Sequence, residues 1–137
     1  MKTPCEVAQG WVAAYNRRDA PAAAKLYHED ATNFQVALGS PTIGRQAMLE
    51  DLLSFFRAFP DNFTRIENLF EDGEWALLEW FGGGTWQGKF AEMAPNGRSF
   101  TLRGCGFFHL TEGKIRFQRG YFDKATCFGQ LLGIPLA

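Results

Sequence analysis

From Phe63 onward the hydrophobic period of this chain changes, and that switch limits what the chain can fold into. Before it, apolar residues recur at three- and four-residue steps: Val7, Trp11, Ala14 and Tyr15, then Met48, Leu49, Leu52, Leu53 and Phe56. Such spacing gives a helix one greasy face. After it come short runs rich in aromatic and β-branched residues, set apart by turn residues, which is the pattern of strands. Helices followed by an antiparallel sheet describe a single α+β domain, expected to span residues 1–137.

Local signals sharpen the boundaries. Thr3-Pro4-Cys5-Glu6 is a capping box with proline at the first helical position, so a first helix should run from there to about Arg18. Asp19 and Pro21 start a short second helix through Ala22, Ala23, Leu26 and Tyr27. Ala31 to Ala37 reads as a strand closed by Gly39, Ser40 and Pro41, and a third helix follows Gly44 and stops before Pro60. The later strands are expected at Phe63–Phe70, Trp75–Phe81, Trp86–Ala91, Phe100–Leu110 and Lys114–Phe122. Asp72-Gly73, Pro95-Asn96-Gly97 and Glu112-Gly113 supply turns, and Gly82-Gly83-Gly84 suits a bulge or bend. A last helix covers Lys124 to Leu132, with Asp123 as its N-cap.

Composition removes several functional classes. Fourteen basic against fifteen acidic residues leave a net charge of −1. A nucleic-acid partner is therefore not expected, because neutralising phosphates takes a basic face. The longest uncharged stretch, Ala31 to Gly44, is too short and too polar to cross a bilayer. No basic-then-apolar leader is seen, and Cys5, Cys105 and Cys127 are scattered, with no CxxC spacing. The expectation is a cytoplasmic protein with reduced thiols, no metal site and no cofactor.

A set of short stretches then carries a resemblance. Trp11-Val12-Ala13-Ala14-Tyr15-Asn16 with Asp19, Leu26-Tyr27-His28-Glu29-Asp30-Ala31 and Ile43-Gly44-Arg45 come first. Gly84-Thr85-Trp86-Gln87-Gly88, Pro95-Asn96-Gly97-Arg98, Gly113-Lys114-Ile115 and Tyr121-Phe122-Asp123 follow in order. Together they cover nearly the whole chain, and they resemble the nuclear transport factor 2-like superfamily in its SnoaL-like branch. That resemblance implies a cone, in which a curved antiparallel sheet wraps around N-terminal helices and leaves a deep pocket. It also implies a homodimer formed through the outer sheet face.

The known chemistries of the superfamily do not transfer. The resemblance places the tyrosine, base and acid of ketosteroid isomerases on Trp11, Gln35 and Cys105, none of which can play those parts. It places the acid/base pair of polyketide cyclases near Cys105 and Gly120, and a histidine common in that branch on Trp86. An Asp–Arg–Asp set of the limonene epoxide hydrolase kind has no evident place.

Which face of the last hairpin points inward decides most of the pocket, because side chains alternate across a sheet. A tight Glu112-Gly113 turn pairs Thr111 with Lys114, and by simple counting Phe107 with Gln118 and Cys105 with Gly120. The resemblance puts Arg103, Cys105, Phe107, His109, Gln118, Gly120 and Phe122 inside. Hydrophobicity alone would bury the other face, Leu102, Gly104, Gly106, Phe108, Leu110, Ile115, Phe117 and Tyr121, instead. Following the resemblance, the expected ligand-binding wall is Trp11, Tyr15, Gln35, Phe56, Leu78, Trp80, Trp86, Arg103, Cys105, Phe107, Gln118 and Phe122. The apolar alternate set is then the dimer surface.

Such a wall suits a small, largely apolar molecule, polycyclic, terpenoid or aromatic. Glutamine does not titrate near neutral pH, so Gln35 and Gln118 are no general bases. Tyr15 is the one catalytic candidate, able to polarise a carbonyl, although a core tyrosine reads the same way. His28 fits a helix C-terminus, His109 a solvated rim, and Arg103 either an anion anchor or a structural ion pair. Arg45 reads as structural and Arg17-Arg18 as a solvated helix end. The expected function is small-molecule binding, with isomerase, cyclase or hydrolase activity in view. The alternatives are a non-catalytic carrier or a dimeric assembly module.

Overall fold

A computed structural model of the chain describes residues 1–134. Residues 135–137, the end of the expected domain, lie outside the described residues. Helix α1 spans Pro4–Asn16, α2 Ala20–Ala24, α3 Arg45–Ala58 and α4 Lys124–Leu132. The strands are β1 Tyr27–Gln35, β2 Thr42–Ile43, β3 Phe63–Asp72, β4 Trp75–Thr85, β5 Ser99–Thr111 and β6 Lys114–Phe122. They form one curved, unclosed sheet in the order β2-β1-β6-β5-β4-β3, with helices on its inner side. All neighbours are antiparallel except β1 and β6, which run parallel.

The caps read from sequence are in place. Thr3 Oγ1 accepts from the Glu6 amide at 3.2 Å while Glu6 Oε1 accepts from the Thr3 amide at 2.9 Å. Asp123 accepts from the Ala125 and Thr126 amides at 3.0 and 3.4 Å, and Asp19 accepts from Ala22 at 3.1 Å.

Three elements differ from expectation. Leu26 and Tyr27 leave the helical path, because the Leu26 carbonyl accepts from the Ile115 amide at 2.8 Å and draws the chain onto β6. Strand β1 therefore starts four residues before Ala31, and His28 sits in it rather than at a helix end. Its ring Nε2 lies 2.6 Å from the Thr111 carbonyl. Trp86–Ala91 is a loop, not a strand: the Gln87 and Gly88 amides both donate to the Ala58 carbonyl at the end of α3. Strand β4 runs straight through Gly82-Gly83-Gly84. A Cβ at Gly83 would stand 2.2 Å from the Phe100 carbonyl oxygen, so glycine here permits close approach of β5.

Arg18 is exposed at the end of α1, as expected, and it also ties the chain together. It takes a left-handed backbone, φ 58°, and its guanidinium donates to the carbonyls of Asn16, Pro60 and Asn62. Asn16 adds a reciprocal pair of 2.8 Å bonds to the Thr64 backbone. These bonds fasten the end of α1 to the start of β3 and fix where the helical layer lies over the sheet.

The interior has two apolar clusters. One packs Val7, Val12, Tyr27, Met48, Leu78, Phe108, Leu110 and Ile115; the other packs Phe59, Trp86, Phe100, Leu102, Cys127 and Leu131. Trp80 touches both, and the candidate site lies where they meet.

Candidate functional site: an aromatic cavity inside the sheet

The last hairpin sets the character of the interior. Thr111 pairs with Lys114 as counted, and Leu110 with Ile115. The register then slips, so that His109 faces Phe117 and Phe108 faces Gln118. Arg116 is the extra residue of a bulge, held outward by an ion pair with Asp30. One added residue moves every later side chain of β6 by one position relative to β5.

The faces consequently differ from those expected. Leu102, Phe108, Leu110 and Ile115 point inward and are buried, Phe108 with 1 % of its surface exposed. Arg103, Cys105 and Phe107 point outward and are not ligand-binding candidates. Arg103 pairs with Glu67 at 3.0 Å and lies over the Phe81 ring. Cys105 stands between Glu79 and Tyr121 on the neighbouring strands. Phe107 packs edge-on against Trp75 and Tyr121, with the Arg119 guanidinium over its ring. His109 is on this outer face too, against Trp75 and 3.6 Å from Glu74. The residues expected to form a dimer surface are thus core, except Phe117 and Tyr121.

Inside, a cavity of about 430 Å³ opens between the sheet, α1, α3 and α4. Of the expected wall it brings together Trp11, Tyr15, Gln35, Leu78, Trp80, Gln118 and Phe122. Two further expected residues are absent from the wall. Phe56 is buried against Tyr15, and its neighbour Phe55 reaches the cavity instead. Trp86 is enclosed in the second cluster, its indole N–H donating to the Gly88 carbonyl at 2.7 Å. Residues that the sequence did not single out also line the space: Tyr27, Asn33, Phe59, Phe100 and Phe108 among them.

The polar groups of the cavity form two linked sets. Trp11 Nε1 donates to the Tyr27 hydroxyl at 2.9 Å, and that hydroxyl donates to Gln118 Oε1. Gln118 is 94 % withdrawn from solvent and Tyr27 nearly wholly so. On the adjoining strand, Gln35 Nε2 donates to Asn33 Oδ1 at 2.9 Å. Gln35 lies across Gly120, where a Cβ would stand only 2.1 Å from its Oε1. Glycine at position 120 therefore gives Gln35 its place in the wall.

The titratable groups of the wall are Tyr15, Tyr27, Asp51 and Cys127. Burial pushes both phenols well above the ordinary tyrosine range, so neither is a base near neutrality. Burial also pushes the Cys127 thiol up to about 11. Asp51 is exposed at the rim and accepts from Thr42 Oγ1 at 2.7 Å. Among the described residues, no group of three or more His, Cys, Asp or Glu side chains is arranged to hold a metal ion. Neither does any described helix have the length and apolarity to cross a membrane.

An aromatic cavity enclosed by a curved sheet and an N-terminal helical layer is what the SnoaL-like resemblance implies, and the sequence profile of SnoaL-like polyketide cyclases matches residues 5–131. The chain belongs to the SnoaL-like polyketide cyclase family. Similar folds are found in a Jannaschia sp. CCS1 protein inferred to be a SnoaL-like polyketide cyclase, with TM-score 0.85 and 14 % identity over 98 % of this chain and 99 % of that one. IdmH of Streptomyces antibioticus, inferred to be a polyketide cyclase, gives 0.79 and 22 % over 96 % and 99 %. A limonene-epoxide-hydrolase-like epoxide hydrolase of M. tuberculosis gives 0.76 and 19 % over 95 % and 90 %. No curated protein matches the sequence. Within this SnoaL-like fold the inward positions beside Cys105 are glycines, and Gly106 lines the cavity. The placement of an acid on Cys105 is therefore corrected: that side chain belongs to the opposite face.

Proposed function

We propose that this SnoaL-like protein binds one small, largely apolar molecule, polycyclic, terpenoid or aromatic, inside the sheet. The observation that carries the reading is the 430 Å³ cavity, walled by Trp11, Tyr15, Phe55, Trp80 and Phe108 with a few amides among them. Apolar walls with sparse polar groups are the usual form of small-molecule sites. The names of the family and of its structural neighbours make isomerisation, cyclisation and hydrolysis the reactions to assay. Tyr15 is the candidate for polarising a substrate oxygen, acting as a neutral donor.

A second reading, a carrier without turnover, is favoured by the chemistry of the wall. Its phenols and thiol are held protonated, and its carboxylate sits at the rim. As part of the same proposal, a second copy of the chain covers the outer sheet face in the cytoplasm. There Arg119 lies over Phe107, Phe117 and Tyr121 with its Nε buried and unpartnered, and Glu79 offers an exposed carboxylate. Two-fold pairing would let each meet the other's charge.

Native mass spectrometry of gently purified protein, then denaturing extraction and turnover assays with the extracted compound, tests both readings. A dimer carrying an apolar adduct is expected. Conversion of the adduct selects the enzyme, and its return unchanged selects the carrier. Failure of extracted or added apolar compounds to bind refutes the site.

A further inference from the structure

The cavity's hydrogen bonds have a direction, and the direction determines what the site can recognise. An indole N–H can only donate. Trp11 therefore occupies a lone pair of the Tyr27 hydroxyl, and the hydroxyl proton is left to Gln118 Oε1. This orients the Gln118 amide. Its oxygen faces the phenol, and its amino group, Nε2, finds no acceptor among the described residues while the side chain lines the cavity. Asn33 stands beside Gln118 in the β1–β6 register, and its Oδ1 is occupied by Gln35. Two neighbouring amides thus have their oxygens engaged and their amino groups unspent. Both amino groups open onto the cavity, and a bound molecule that covers them without offering an acceptor would strand each at a cost of about 1–3 kcal/mol, which a matching ligand oxygen avoids.

We infer that Gln118 Nε2, with Asn33 Nδ2 beside it, is a donor site for a carbonyl oxygen, so the cavity selects apolar molecules bearing a ketone, ester or similar acceptor over pure hydrocarbons. The inference rests on the reading of the cavity as a ligand site. Gln118 makes the contact; Trp11 and Tyr27 are positioning residues that hold its amide one way round. Rejection of the hydrocarbon follows from the same chemistry, because it would leave both donors dry.

The test uses 1-tetralone and tetralin, two-ring molecules that differ by one carbonyl, titrated calorimetrically into the full-length protein. Binding of the ketone roughly tenfold tighter than the hydrocarbon is expected, the worth of one buried hydrogen bond. Infrared difference spectra should show the bound ketone's C=O stretch shifted to lower wavenumber. Gln118→Glu, which keeps an acceptor for Tyr27 but removes the donor, should bring the affinity ratio near one and abolish the shift. Trp11→Phe, which releases the phenol, should lower the ratio and broaden the band, an effect that loss of packing alone would not produce. Equal affinities in the wild-type protein, or an unshifted carbonyl band, overturn the inference while leaving the ligand-site reading intact, and need no variant to fold. If neither probe binds, the ligand-site reading falls and the inference with it.

Discussion

Replacing Phe108 and Phe107 by alanine, one at a time, asks the protein which of the two neighbours it uses as core. Phe108 is 1 % exposed and packs among Trp11, Leu78, Leu110 and Ile115. Truncating a buried phenylalanine costs about 3–5 kcal/mol in lost transfer energy and cavity formation. One side of this ring already borders open space, so the lower end, about 3 kcal/mol, is expected. Phe107 is only half-buried and its loss removes edge contacts with Trp75 and Tyr121. About 1 kcal/mol is appropriate there. For a chain of this size these values correspond to falls in Tm of about 10 °C and about 4 °C. Urea unfolding followed by circular dichroism gives the midpoint and slope for each variant. Running it at two protein concentrations separates any cost of subunit dissociation from the cost to the fold. Equal losses, or a larger loss for Phe107→Ala at the lower concentration, would refute the assignment of faces.

Three further outcomes follow from particular contacts. Gly83→Ala drives a Cβ into the Phe100 carbonyl and should destabilise by about 3 kcal/mol, while Gly10→Ala, with nothing within 4 Å, should stabilise α1 by about 0.5–1 kcal/mol; thermal melts compare them. Asp61 accepts from the Thr85 hydroxyl and amide, both at 2.7 Å, which hold its carboxyl below the ordinary range. Its folded pKa lies under its unfolded one, so its stabilisation is complete above about pH 4 and is lost as pH falls through the folded value. Asp61→Asn should therefore be less stable than wild type at pH 7, with the gap closing toward pH 3 in denaturant titrations. Cys127, buried and with its thiol pushed up to about 11, should resist iodoacetamide at pH 8 in folded protein and label readily in urea, as peptide mass spectrometry would show.

What the sequence made legible was whatever depends on near neighbours. The capping box at Thr3, the caps at Asp19 and Asp123 and the Glu112-Gly113 turn each involve residues within three or four positions. The hairpin faces could not be read that way. The bulge at Arg116 comes from an added residue whose outward partner, Asp30, lies in a distant strand. Hydrophobicity pointed to Leu102, Phe108, Leu110 and Ile115 as buried but also to Phe117 and Tyr121, which lie outside, and placement by resemblance pulled Arg103, Cys105 and Phe107 inward. Tyr27 was missed as a cavity residue because Leu26-Tyr27 continues a helical spacing, while the pull that extends the chain comes from Ile115. Phe55 and Phe56 are adjacent on α3 and both rings pack against Tyr15, so only the tertiary placement of the helix decides that Phe55 reaches the cavity. For Gln118 and Phe122 the signal was the resemblance, which set them on the inward face, and both line the cavity.

The bulge at Arg116 also bears on how the chain folds. A hairpin zipped from the same turn without the bulge would keep its backbone bonds and look locally sound. It would send Phe117, Arg119 and Tyr121 into the interior and leave Gln118 outside. Interring a guanidinium without an anion beside it is far costlier than the few bonds an unbroken ladder regains. Arg119 therefore acts as an error signal: the slipped register is a competing trap that this one cation makes untenable. A neutral residue at position 119 would remove that penalty and let the two registers compete, and would also strip the outer aromatic rings of the cation that lies over them.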